Sequence, residues 1–246
     1  MGALIGGMYA AGKLKEVKEW LYTLTPKQIL SLVDFSLKRS YIVKGDKLMD
    51  AMKQIVPDVN IEDLPIPFCA VAANLLHDRE AVFRKGSLYG AMRSSISIPS
   101  FLRPMKLEEG VFIDGGVVNP LPLNRVQRNR GDLLVAVNVS APTQPEFDHL
   151  NENPLQRILQ TEYPKIVKYL PHNNKMEVDG NYFSMLAKTF ALMIQQNTVL
   201  SLRLTPPDIL FNIPMNRFGG FDYDRAEMIA TEGKQLMEEV LAKYEA

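Results

Sequence analysis

"FIDGGVVNPLPL", residues 112–123, is the stretch on which the reading of this chain turns. Val111, Phe112 and Ile113 form a short apolar run of β character, so Asp114 falls where a strand ends. In open α/β sheets, ligand chemistry gathers at the carboxyl ends of parallel strands. Gly115 and Gly116 permit a tight turn and let a second backbone approach the carboxylate closely. Pro120 and Pro122 stiffen the exit. The plainer reading is an Asp-Gly turn without chemistry, which is common.

Upstream of this run, "IPFCAVAANL" predicts a buried strand, "HDRE" a polar break and "AVFRKG" a second short strand. Ser87 is positioned to cap a helix over "LYGAMRSS" that stops before Pro99. Residues 1–65 predict helices: "KLKEVKEWLYTL" and "PKQILSLVDFSL" carry apolar residues at three- and four-residue spacing, and Asp46 is a candidate cap for "KGDKLMDAMKQIV". Downstream, "DLLVAVNVS" and "DILFNIP" predict strands, the first of the kind buried in a mostly parallel sheet. A loose stretch over 141–181 predicts a surface excursion. "SMLAKTFALMIQQNTVLSLRL" and "DRAEMIATEGKQLMEEVLAKY" predict long helices. Helices followed by interleaved strands and helices make the class α/β. With no linker composition visible, residues 1–246 read as a single domain.

The chain opens on "MGALIGGMYAAGKL", a glycine-studded apolar helix. Glycine costs about 1 kcal/mol against alanine inside a helix, so such a run is expected where backbones pack closely, as under a sheet. Gly7, Gly12 and Lys13 also satisfy G-x-x-x-x-G-K, but Leu14 stands where a phosphate loop needs the Ser or Thr that holds Mg²⁺. Met8 to Ala11 suit a helix better than an anion-cradling turn, so nucleotide binding is a distant alternative.

The 246 residues carry 28 basic and 28 acidic side chains, a balance with no field to attract nucleic acid. The lone cysteine, Cys69, excludes an intrachain disulfide, and His77, His149 and His172 show no metal-ligand spacing. No cofactor or metal is implied. His77 sits in a polar turn, which suits an exposed residue better than a base. Ser94, Ser95 and Ser97 suit loop hydrogen bonding better than nucleophilic attack. Met185, Phe190 and Met193 suit a helix core better than an acyl groove.

Several stretches together resemble the patatin-like phospholipases. "GALIGGMYAAG" resembles the helix after that family's nucleophile elbow, whose G-x-S-x-G motif would end at Gly2. Asp114, Gly115 and Gly116 match its Asp-Gly-Gly motif. "CAVAANL" resembles a strand that in the family ends in an acid, with Asn74 here in its place. "AMRSSISIPSFLRPM" is similar to the helix and Ser-Ile-Pro loop before the family's catalytic Asp, and "PPDILFNIPMNRFGGFDYDRAEMI" to its closing strand, loop and helix.

The resemblance implies a three-layer α/β/α sandwich with a mostly parallel central sheet. It implies a serine lipid acyl hydrolase with a Ser-Asp dyad, Asp114 being the base and Gly2, Gly115 and Gly116 shaping the site. The serine would immediately precede Met1, and the oxyanion loop and elbow strand would lie further upstream. The expectation is therefore of a domain incomplete at its N-terminus and inactive as it stands, its substrate a lipid or acyl ester. A non-catalytic lipid- or acyl-binding protein is the alternative. A cytoplasmic or membrane-peripheral location fits, any signal peptide lying upstream. Loss of upstream neighbours would expose Leu4, Ile5 and Met8 and offer a surface for self-association.

Overall fold

The computed structural model describes residues 1–36, 41–147, 182–219 and 222–245. The chain divides into two units, Met1–Pro120 and Leu121–Ala246. Most of the 141–181 excursion, with His149 and His172, lies outside the described residues.

In the first unit, α1 (Gly2–Ala10) leads to α2 (Leu14–Thr23), α3 (Pro26–Leu32) and α4 (Asp46–Ile55). Gly12, at φ +68°, ends α1: its N–H bonds to Tyr9 O while that of Lys13 bonds to Met8 O. That pair of bonds is a glycine C-cap. Gly7 is inside the helix, and Lys13 bonds to Glu16 at 2.7 Å. The G-x-x-x-x-G-K spacing is thus a helix and its stop, which overturns the nucleotide-binding alternative. Thr25 and Gln28 form a reciprocal capping box on α3. The cap of α4 corrects the expectation. Asp46 is its first helical residue, and the carboxylate that receives the N–H groups of Gly45 and Asp46, at 2.6 and 3.0 Å, belongs to Asp34.

The strands of this unit are β1 (Ala70–Asn74), β2 (Arg79–Phe83), β3 (Met105–Leu107) and β4 (Gly110–Asp114), in the order β2-β1-β4-β3. Every pair is antiparallel. The parallel setting expected for the Asp114 strand is therefore corrected. The reason is local: Glu108 and Glu109 alone separate β3 from β4, and a loop that short can join only antiparallel neighbours. Between β2 and β3 lies α5 (Leu88–Ser95), capped by Ser87 Oγ accepting Gly90 N–H at 2.9 Å, as the sequence predicts.

The core of this unit joins α1, α2, α4, α5 and β1 through Leu4, Met8, Val17, Met49, Met52, Leu88 and Met92 among others. The close approach made by α1 is to another helix: a Cβ on Gly7 would lie 2.7 Å from Met92 Sδ. Gly2 has no such neighbour within 4 Å. Leu4 and Met8 are buried, which corrects their expected exposure, while Ile5 and Tyr9 are exposed.

In the second unit, β5 (Val135–Ala141) and β6 (Ile209–Pro214) pair in parallel, as a crossover through a helix allows. α6 (Tyr182–Leu204) packs on β5 and α7 (Ala226–Glu245) on β6. A core of Leu121, Leu123, Leu134 and Ala136 receives Leu202 and Leu210. β5 alternates, with Val135, Val137 and Val139 exposed, so it is not the doubly buried strand its composition predicts. Met185 and Met193 on α6 are likewise exposed, where core was expected. Helices and sheets together bear out α/β; the described sheets are antiparallel in one unit and parallel in the other.

Candidate active site

Asp114 ends β4, opposite Ala72 of β1, and its own carboxylate caps the following 3-10 turn, Gly115–Val117. Oδ1 accepts the Gly116 N–H at 2.7 Å. The Asp114 N–H donates to Ser97 O at 2.9 Å, which ties the residue to the Ser-Ile-Pro loop. Burial pushes the Asp114 carboxyl above its ordinary value, with the Gly116 N–H and the Met1 α-ammonium pulling the other way. The Met1 amine is itself desolvated, which lowers its pKa, and Asp114 opposes that shift. Each group thus feels the other's charge. A carboxyl raised in this way is a stronger base than one in water.

Gly115 is fixed by sterics. A Cβ there would lie 2.2 Å from Val71 O, a main-chain carbonyl of β1. Its backbone must pass against that carbonyl, and only glycine does so without moving a strand. Gly116 contributes its N–H. Gly2 begins α1, with open space where a side chain would go. Asp114, Gly115 and Gly116 are thus held against β1 and the Ser-Ile-Pro loop within the first unit.

Asn74 is a structural residue. It is buried, its Nδ2 donates to Glu109 O at 3.0 Å and its Oδ1 accepts Leu76 N–H at 3.0 Å. It closes the β1 turn and clasps the β3–β4 hairpin, where Gly110 at φ +153° makes room for its amide. His77 is exposed in that turn. The hydroxyls of Ser94 and Ser97 donate to the carbonyls of Gly90 and Arg93, at 2.8 and 2.7 Å, as helix-end and loop bonds.

The residue that sequence reasoning missed is Arg93. It is buried at the end of α5, where it donates to Ser97 Oγ at 2.6 Å, to Arg103 O at 2.9 Å and to Lys44 O. Desolvation lowers its pKa, and the charge of Asp46 opposes this. The available signal was one charge inside the apolar pattern "LYGAMRSSI". Among the described residues no group of three or more His, Cys, Asp or Glu could hold a metal, and no helix is long and apolar enough to cross a membrane.

The patatin-like phospholipase family model matches residues 1–126. An NTE family protein of Mycobacterium bovis, described as uncharacterised, is 40% identical over 140 residues, covering 57% of this chain and 39% of that protein. Its counterpart in Mycobacterium tuberculosis matches equally. The neuropathy target esterase sws of Drosophila melanogaster is 23% identical over 160 residues, 62% of this chain and 11% of that one. The matched stretch thus spans about two fifths of the mycobacterial relatives and far less of the insect one.

Proposed function

The chain belongs to the patatin-like phospholipase family, and from that premise we propose that it carries the base of a serine lipid acyl hydrolase, with Asp114 as that base. The observation that carries the reading is the Asp114 carboxyl itself. It is desolvated and anchored through Gly116 and Ser97.

In the proposed reaction a serine hydroxyl attacks the ester carbonyl of a lipid. Its proton passes to Asp114, and the alkoxide of the leaving alcohol takes that proton as the acyl-serine forms. Water then attacks the acyl-serine and gives its proton to Asp114. The proton returns to the serine as fatty acid departs. Asp114 Oδ1 is already engaged by Gly116 N–H, so Oδ2 is the oxygen assigned to the proton.

No G-x-S-x-G occurs in the 246 residues. The serine of the dyad is assigned to the position before Met1, with Gly2 as the last glycine of the motif. The fold is read as the family's three-layer sandwich once the elbow strand is in place. The 246-residue chain should then show no turnover of a short activated ester above buffer. Extending it by the codons upstream of Met1 should restore turnover, and Asp114→Asn should lower it by roughly 10²–10⁴-fold, the range for losing a general base. Turnover by the unextended chain, abolished by Ser95→Ala or Ser97→Ala, would sink the assignment. Binding of lipid with no turnover in either form would favour the non-catalytic alternative.

A further inference from the structure

Arg93 is a buried cation that the proposed chemistry leaves unused. A guanidinium taken out of water is expensive unless its N–H groups find acceptors. Here the acceptors are arranged unusually. Among the described residues no carboxylate is a hydrogen-bond partner; the side chain holds the main-chain carbonyls of Lys44 and Arg103 and the Ser97 hydroxyl. Ser97 Oγ returns a bond to Arg93 O at 2.7 Å, so its orientation is closed from both sides. Gly45, at φ +82°, lets the guanidinium in, since a Cβ there would lie 3.0 Å from Nε.

Three segments converge on this one group: the end of α5, residues 44–45 and residue 103. From it to Asp114 the path has two links. Arg93 fixes Ser97, and Ser97 O takes the Asp114 N–H. The planar fork matters because its two terminal nitrogens serve different segments at once, which the single ammonium of a lysine does less well.

We infer that Arg93 is a positioning residue for Asp114, setting the height of the Asp114 backbone through Ser97. This rests on the reading of Asp114 as the base. A merely structural arginine would affect the whole unit equally, whereas a positioning arginine affects Asp114 first.

The test is amide hydrogen exchange by NMR on the 246-residue chain. The Asp114 amide is compared with that of Leu88, which bonds to Val59 O at 2.9 Å away from this network. Arg93→Met should speed Asp114 exchange by roughly ten-fold or more relative to Leu88, a local opening rather than a global one. Arg93→Lys should fall between the two, and it serves as the test if Arg93→Met fails to fold. Tyr89→Phe, which removes a bond to Val56 O, provides the pattern of general destabilisation, with both amides moving together.

In the extended, active form, Arg93→Lys should lower kcat by roughly ten-fold with KM little changed, because a misplaced base costs rate rather than binding. Equal changes at Asp114 and Leu88 in the Arg93 variants, or an unchanged kcat, would overturn the inference while leaving Asp114 as the base. Full activity of Asp114→Asn would instead overturn the base, and this role of Arg93 with it.

Discussion

Replacing Gly115 with alanine tests the geometry most directly, because its added methyl has one defined obstacle. The new Cβ would start 2.2 Å from Val71 O, and real Cβ atoms do not approach closer than 3.0 Å. The obstacle is backbone, so no rotamer change relieves it. Val71 lies in β1, which is hydrogen-bonded to β2 on one side and β4 on the other, so moving its carbonyl disturbs both ladders. Gly115 is not at positive φ, so the cost is steric alone. We place it at about 2–4 kcal/mol, at or above the usual overpacking range. Two other glycines provide the scale. Gly7→Ala meets the flexible end of Met92 at 2.7 Å and gains helix propensity, for a net effect within about 1 kcal/mol. Gly2→Ala meets nothing and should be neutral or stabilising by up to about 1 kcal/mol. Urea unfolding followed by circular dichroism, at a shared m-value, gives the three differences. A Gly115→Ala chain within about 1 kcal/mol of wild type, or Gly2→Ala as the worst of the three, would refute the reasoning.

Three further outcomes are expected. Because the folded pKa of Asp114 is raised, its contribution to stability is complete below the ordinary value of 3.8 and is lost as pH rises through the folded value. The urea midpoint of wild type relative to Asp114→Asn should therefore fall across that window, and a flat difference from about pH 3 to about pH 7 would contradict the desolvation. Asn74→Asp should destabilise by about 1–3 kcal/mol, since a carboxylate oxygen would face Glu109 O in place of a donor; an unchanged thermal melt would count against the clasp. Ser87→Ala should cost about 1 kcal/mol by uncapping α5, read from the same urea titration.

Local signals in the sequence were largely legible, and pairing was not. The Ser87 cap, the helices of residues 1–65 and the end of a strand at Asp114 follow from short-range chemistry, and each is present. The direction of the Asp114 strand was misread because "MKL" is too short to stand out beside "GVFI", although the two-residue break between them sets the pairing. Asp34 escaped notice as a cap because it lies eleven residues before the N–H it receives. At the site, the type of Asp114 and its glycines could be read. The Val71 carbonyl that demands Gly115, and the Arg93 fork, are contacts across distant elements that no periodicity carries.

The methionines of the first unit have a chemical consequence. Met8, Met49, Met52 and Met92 are buried in one core, while Met1, Met185, Met193 and Met228 are exposed. Thioethers oxidise to sulfoxides on exposure, and a sulfoxide is too polar for such a core. Under dilute peroxide the exposed group should react first, and the four core sulfurs only as often as the unit opens. Mass mapping of the sulfoxides would then act as a clock for that opening, and each oxidation in the core would bar the chain from closing again.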